Sequence, residues 1–186
     1  MKHQRKVGAQ GSPLLIALPA DMEDLVDDLC TAVAAHLDPP LSVRGGDPWI
    51  APPPDAVVNA PRAIRNAGWG RGTIAVTAAR LHTSFLEDAA GWTDRRRGVS
   101  IVSVHDLDLV GARDHGRLAK LVAHEASHLL GLPHCRRPGC LNLPSRRRED
   151  LDALSGFCPR CRQRLVRAAS RRARRAPDSG QRRAGD

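Results

Sequence analysis

Three histidines and a glutamate in one short run set the chemistry open to this chain. The run is HEASHLLGLPH, His124 to His134. On a helix, side chains at i and i+4 stand on one face, so His124 and His128 can present their imidazoles to a single metal ion. Glu125 points toward the same cleft without ligating, placed to take a proton from metal-bound water. Gly131 lets the backbone leave the helix at positive φ and swing round to offer His134 as a third ligand. Three protein ligands on zinc leave its fourth position open for water or a substrate carbonyl, the mark of a catalytic site. Zinc there acidifies the water and polarises the scissile carbonyl. HExxH alone also arises by chance on a surface helix; the added Gly131 and His134 at this spacing argue against coincidence.

A second set begins at the next residue. Cys135 and Cys140 have four residues between them, and FCPRC supplies Cys158 and Cys161. Four thiolates in this pattern suit a closed, tetrahedral, structural zinc. Two disulfides or a redox CxxC pair are the alternatives. Disulfides fit a cytoplasmic chain poorly, and the CxxC lacks the strand-to-helix setting of a redox centre. With Cys135 directly after His134, the second metal would clamp the segment bearing the third catalytic ligand. Two zinc ions per chain are therefore expected, mechanically coupled. Cys30 reads as a small core residue. His3, His36, His82, His105 and His115 show no ligand spacing. The chain has no tyrosine, so a further oxyanion donor must be histidine, arginine or backbone, with His105 and His115 as candidates. The triplets Arg95–Arg97 and Arg146–Arg148 read as solvated loop faces.

These residues need a scaffold, and 186 residues suffice for one domain with its own core. The net charge of +9 is unevenly placed: residues 162–186 hold nine Arg against Asp178 and Asp186, leaving +2 for the rest. The basicity therefore describes a tail and not a fold. No segment approaches the roughly 20 apolar residues of a membrane span. The apolar run Leu14–Leu18, bracketed by Pro13 and Pro19, reads as a buried strand and not a leader. Further strands are predicted from Leu41, over Thr73–Thr77, over Leu81–Glu87 and over Val99–Val104, whose VSIVSV alternates cleanly. A helix capped by Asp21 carries Leu25, Leu29, Val33 and Leu37 on one face and stops at Pro39. Gly116–Leu130 is predicted as the helix of the histidine run, ended by Gly131. Short helices are predicted near Pro61–Asn66 and Arg147–Leu154. After Cys161 the chain can start helical, but its composition cannot offset the entropy of ordering a packed element, and disorder is expected by about Ala176.

HExxHxxGxxHC running into C-x4-C and a later CxxC resembles the archaemetzincins, a branch of the metzincin metallopeptidases. LLIALPADMEDLVDDL, TIAVTAARL and VSIVSVHDL are similar to that family's strands and first helix, and KLVAHEASHLLGLPHC to its active-site helix. The resemblance implies a compact α+β domain with a mixed, roughly five-stranded sheet, a backing helix and an active-site helix. It also implies a C-terminal part stapled by zinc on four cysteines. The domain would span 13–161, between a flexible 1–12 and an Arg-rich, disordered 162–186. Three features depart from the family. Its methionine beneath the zinc falls on Asn142, with Leu143 as a substitute apolar floor, so a methionine at 142 should preserve or raise activity. The stretch from Val43 to Thr73 is short of a helix, and the Cys140–Cys158 spacing is compressed. The implied activity is zinc-dependent peptide hydrolysis, with a peptide or protein as substrate; the reading of Leu14–Leu18 as a strand predicts a cytoplasmic protein, taken as a monomer. The rival reading is a catalytically weak or inactive zinc protein that binds acidic partners or nucleic acid through the tail alone.

Overall fold

The computed structural model describes residues 13–37, 42–107, 112–144 and 148–175. Among them seven strands form: Leu14–Ala17 (β1), Val43–Gly45 (β2), Val57–Asn59 (β3), Thr73–Thr77 (β4), Arg80–His82 (β5), Gly91–Asp94 (β6) and Val99–Ser103 (β7). Five make one sheet in the order β2-β1-β4-β7-β6, while β3 and β5 pair separately. The pairings among β2, β1, β4 and β7 are parallel; β6 joins β7 antiparallel and forms one edge. The strand expected over Leu81–Glu87 is thus shorter and lies outside the main sheet. Neither β3 nor β6 was anticipated.

Every residue of β4 and β7 is buried. Ile74, Val76, Val102 and Val104 face one apolar cluster, while Ala75, Val99 and Ile101 face another. Both faces of the central strands are covered, as parallel pairing requires. On the first face lie Val26–His36 (α1) and Ala112–Leu129 (α3). Asp21 does not cap α1: a 3-10 turn over Ala20–Leu25 comes first, closed by Met22 N donating to Pro19 O at 2.9 Å. Cys30 is buried in this core, as expected. Ala60–Asn66 (α2) covers the second face through Ile64. Asn59 caps it by accepting from Arg62 N at 3.0 Å, and Pro61 sits in the first turn where its missing N–H costs nothing.

The C-terminal part departs most from expectation. Arg148–Asp152 (α4) lies near its predicted place. Pro159–Arg175 (α5) is one continuous helix, and its Leu165 and Ala168 are 2% and 5% exposed within the main core. The boundary expected after Cys161 therefore fails, because apolar residues at i, i+4 and i+7 (Cys161, Leu165, Ala168) give even an arginine-rich segment a face to bury. The expected disorder beyond Ala176, the flexible 1–12 and the stop at Pro39 fall outside the described residues. Buried Arg117 ties α3 to α4, donating to Asp152 at 2.6 and 3.0 Å and to Asp114 at 2.7 Å. Among the described residues no helix is long and apolar enough to cross a membrane.

Candidate metal centre

The last two turns of α3 and the loop after it bring His124, His128 and His134 together. One ligand nitrogen from each lies within 4.8 Å of the others. The helix ends in a Schellman motif: Leu132 N donates to Ser127 O at 3.0 Å and Gly131 N to His128 O at 2.9 Å, with Gly131 at φ 91°. That left-handed step turns the chain back toward the helix and delivers His134.

Each helical histidine is oriented by a main-chain carbonyl. His124 Nδ1 is 2.9 Å from Leu141 O, and His128 Nδ1 is 2.7 Å from Leu132 O. A carbonyl only accepts, so each Nδ1 carries the proton and each Nε2 offers its lone pair. The two Nε2 atoms face one another at 3.0 Å, a distance that a cation shared between them explains. Burial pulls His124 down to about 4, and burial also holds His128 and His134 below the ordinary imidazole range. Neutral imidazoles are the form a metal needs.

Glu125 is buried, and burial lifts its carboxyl above the ordinary carboxylate range, against His128 and a hydroxyl that favour the charge. That hydroxyl belongs to Thr93 on β6, which donates to Glu125 Oε2; Thr93 Oγ1 lies in turn 2.6 Å from Ser100 Oγ on β7. Two residues earlier on β6, Gly91 makes room for the carboxylate, since a Cβ there would stand 2.5 Å from Oε1. Thr93, Ser100 and Gly91 were not legible as site residues, because their roles depend on a strand pairing that places residues 32 apart in contact.

The position beneath α3 is polar. Asn142 is fully buried; its Oδ1 accepts from Ser127 Oγ at 2.8 Å and its Nδ2 donates to Pro133 O at 2.6 Å. Its own carbonyl accepts from Cys135 N at 2.8 Å. Leu143, the expected apolar floor, is only partly buried against the main core. His115 lines a separate cavity between α1 and α3 with Leu25, Leu29 and Leu118, and His105 is exposed in the turn after β7. Neither joins the cluster. Arg95 and Arg97 are exposed in a turn, as expected; Arg95 donates to Gly131 O at 3.0 Å, and Arg97 pairs with Asp94 at 3.1 Å.

Cys135, Cys140, Cys158 and Cys161 form the second cluster, with sulfurs within 4.8 Å of one another and no disulfide. Cys135 Sγ and Cys158 Sγ are 3.9 Å apart. Thiolates at about 2.3 Å from a tetrahedral zinc stand about 3.8 Å apart, so the spacing fits a metal and not an S–S bond. Backbone amides already point at sulfur: Cys158 N donates to Cys140 Sγ and Arg137 N to Cys135 Sγ, both at 3.4 Å. Burial raises the Cys140 and Cys161 thiols. Burial also opposes ionisation at Cys158, but the Cys161 amide and the neighbouring thiols bring it down to about 7.

Comparison with known proteins follows the same lines. A model of peptidase family M54 matches residues 70–167, just over half of the chain. An archaemetzincin of Pyrobaculum aerophilum is 48% identical over 60 residues, covering 32% of this chain and 39% of that protein. The chain thus aligns with about two fifths of that relative's length. Among solved structures, a zinc-dependent peptidase from Methanocorpusculum labreanum has a TM-score of 0.65 at 23% identity, covering 81% of this chain and 98% of that one. An archaemetzincin from Archaeoglobus fulgidus, solved with malonate, has a TM-score of 0.70 at 19% identity, covering 82% and 99%. At these identities the structural likeness speaks for the fold.

Proposed function

The chain belongs to peptidase family M54, the archaemetzincins, and from that premise we propose that it is a zinc-dependent metallopeptidase. His124, His128 and His134 would hold the catalytic zinc, and Cys135, Cys140, Cys158 and Cys161 a second, structural one. When bound at the histidines, zinc supplies Lewis acidity toward water and a peptide carbonyl.

The remaining work falls to the chain's own side chains. Glu125 accepts the proton of the attacking water and passes it to the leaving amine. Its burial raises its basicity toward the range useful near neutral pH, and Thr93 fixes the carboxylate so that its aim does not wander. The outer edge of β6 is the strand edge beside this base, and a substrate backbone pairing there lies alongside Glu125. Arg95, seated on the loop between His128 and His134, puts a guanidinium at the rim of the cluster in a chain without tyrosine. A cytoplasmic, monomeric enzyme whose five cysteines form no disulfide belongs to the same reading.

One observation carries the proposal: two Nε2 atoms face one another at 3.0 Å, on rings whose Nδ1 atoms are tied to carbonyls, beside a buried glutamate. The test is a fluorogenic peptide library with zinc analysis. Glu125→Gln should retain zinc and fold but lose hydrolysis by about 10²–10⁴-fold, whereas His128→Ala should lose the histidine-bound zinc. Equal rates for wild type and Glu125→Gln would leave a non-hydrolytic zinc protein.

A further inference from the structure

We propose that the arginine face of α5 is a binding surface for the phosphate backbone of duplex DNA. The activity is separate from peptide hydrolysis and does not depend on it.

The helix holds eight arginines in 17 residues, with no lysine and no acidic residue. Such a sequence repels itself, and it is ordered here because Cys161, Leu165 and Ala168 bury one side in the core. Arg160, Arg164, Arg167, Arg171 and Arg174 then recur at steps of four, three, four and three. On an α-helix these steps keep all five within about 80° of arc, in a stripe about 21 Å long. Four of them are exposed and Arg164 is half-buried.

Arg172 stands on the core-facing side of α5, about 120° round the helix from Arg160 and apart from the stripe. The Arg172 guanidinium lies against Gly72, where a Cβ would come within 2.9 Å of it, and donates to Pro13 O at 3.4 Å. Arg71 lies over Gly98 and donates to Arg96 O at 2.7 Å. Burial opposes the charge on Arg172, and the nearby charge of Arg71 opposes it further.

The nature of the surface selects among anionic partners. A planar guanidinium matches phosphate bidentately, and this helix uses arginine alone. An amphipathic helix anchors in a membrane by inserting its apolar face, and that face of α5 is already in the core. Single strands bind by stacking on aromatic rings, and α5 has none. An acidic protein presents carboxylates at irregular intervals, whereas a duplex offers about one charge per 1.7 Å of axis, or about a dozen along this stripe. A straight, rigid row of arginines suits the regular array. Guanidinium contacts to phosphate carry no information about the bases, so binding is independent of sequence.

The experiment is fluorescence anisotropy of the full-length protein with a labelled duplex DNA of about 20 base pairs across a salt series. The wild type should give a slope of log K against log salt of about −4 to −5, near −0.9 for each arginine engaged. Arg164→Gln/Arg167→Gln/Arg171→Gln should make the slope shallower by about 3 and weaken binding tenfold or more. Arg167→Gln and Arg171→Gln singly, which disturb the fold least, should each shift it by about 1. Arg182→Gln/Arg183→Gln should leave it unchanged. Far-UV circular dichroism checks that α5 remains helical. An unaltered slope in both single variants and the triple variant overturns the proposal. So does polyglutamate, a single strand or an anionic vesicle binding as tightly with the same dependence on the stripe.

Discussion

Ser127 Oγ donates to Asn142 Oδ1 at 2.8 Å, joining α3, the helix of His124 and His128, to the loop that follows Cys140. Ser127 lies between the two helical histidines, and Asn142 also bonds Pro133 O immediately before the third. One buried amide therefore aligns the helix with the segment carrying His134. Family resemblance suggests that a methionine at 142 should help; the geometry argues the reverse. Asn142→Met would leave the Ser127 hydroxyl and the Pro133 carbonyl buried without partners, at about 1–3 kcal/mol each. We expect it to weaken zinc retention and lower the melting temperature. Ser127→Ala/Asn142→Met should recover part of the loss. Competition with a chelator and calorimetry measure both effects, and a single variant as stable and as zinc-tight as wild type refutes this role.

Thr93 offers a second test, because its hydroxyl is the only part of it that Glu125 uses in the structure described. Thr93→Val keeps the shape and removes the donor. A lost hydrogen bond to a charged group is worth about 1.5–3 kcal/mol, so kcat should fall about tenfold to a hundredfold with KM little changed. Thr93→Ser should restore the rate. If Val and Ser behave alike, the bond does not position the base.

The C-terminal helix should matter for stability. Truncation after Arg164 removes Leu165 and Ala168 from the core, and burying one leucine contributes about 1.5–3 kcal/mol. A shortened chain ending there should melt well below wild type, whereas one ending after Arg175 keeps every described contact. Urea titration of both chains decides; equal midpoints would return α5 to the status of a loose tail.

Acid should destabilise the metal-free protein through its histidines. Burial lowers His124 from the ordinary 6.5 to about 4. A group whose folded pKa is depressed binds fewer protons folded than unfolded between those values. Its contribution to stability is therefore fully present above about 6.5 and is lost as pH falls toward 4. His124→Gln should flatten that part of the pH–stability curve in chelator-treated protein, and an unchanged curve excludes His124 as its source.

Metal removal should proceed in two stages. The histidine site is open and should empty first, while the closed thiolate site resists chelation. Cys158→Ala should destabilise the C-terminal part, since the binding energy of a structural zinc is also folding energy. Elemental analysis during graded chelation measures this; one metal or none after zinc-supplemented purification contradicts two sites.

His124, Glu125 and His128 are legible from sequence because helical periodicity alone puts i and i+4 on one face. Gly131 and His134 follow, since a left-handed glycine is a local device for turning a chain back. The strands Thr73–Thr77 and Val99–Ser103 were legible for a related reason: their β-branched alternation is local and strong. Other features were decided by contacts between distant segments. GWTD carries no strand signal, and β6 exists because β7 supplies its hydrogen bonds; only that pairing carries Thr93 to Glu125. Asn142 reads as a departure from a motif until Ser127 and Pro133 meet it in the fold. The composition of α5 argues for disorder, and what orders it is a narrow row of small and apolar residues finding a core built by the rest of the chain. Local periodicity determines which residues share a face, but burial and hydrogen-bond partners across the chain exist only once the segments have packed.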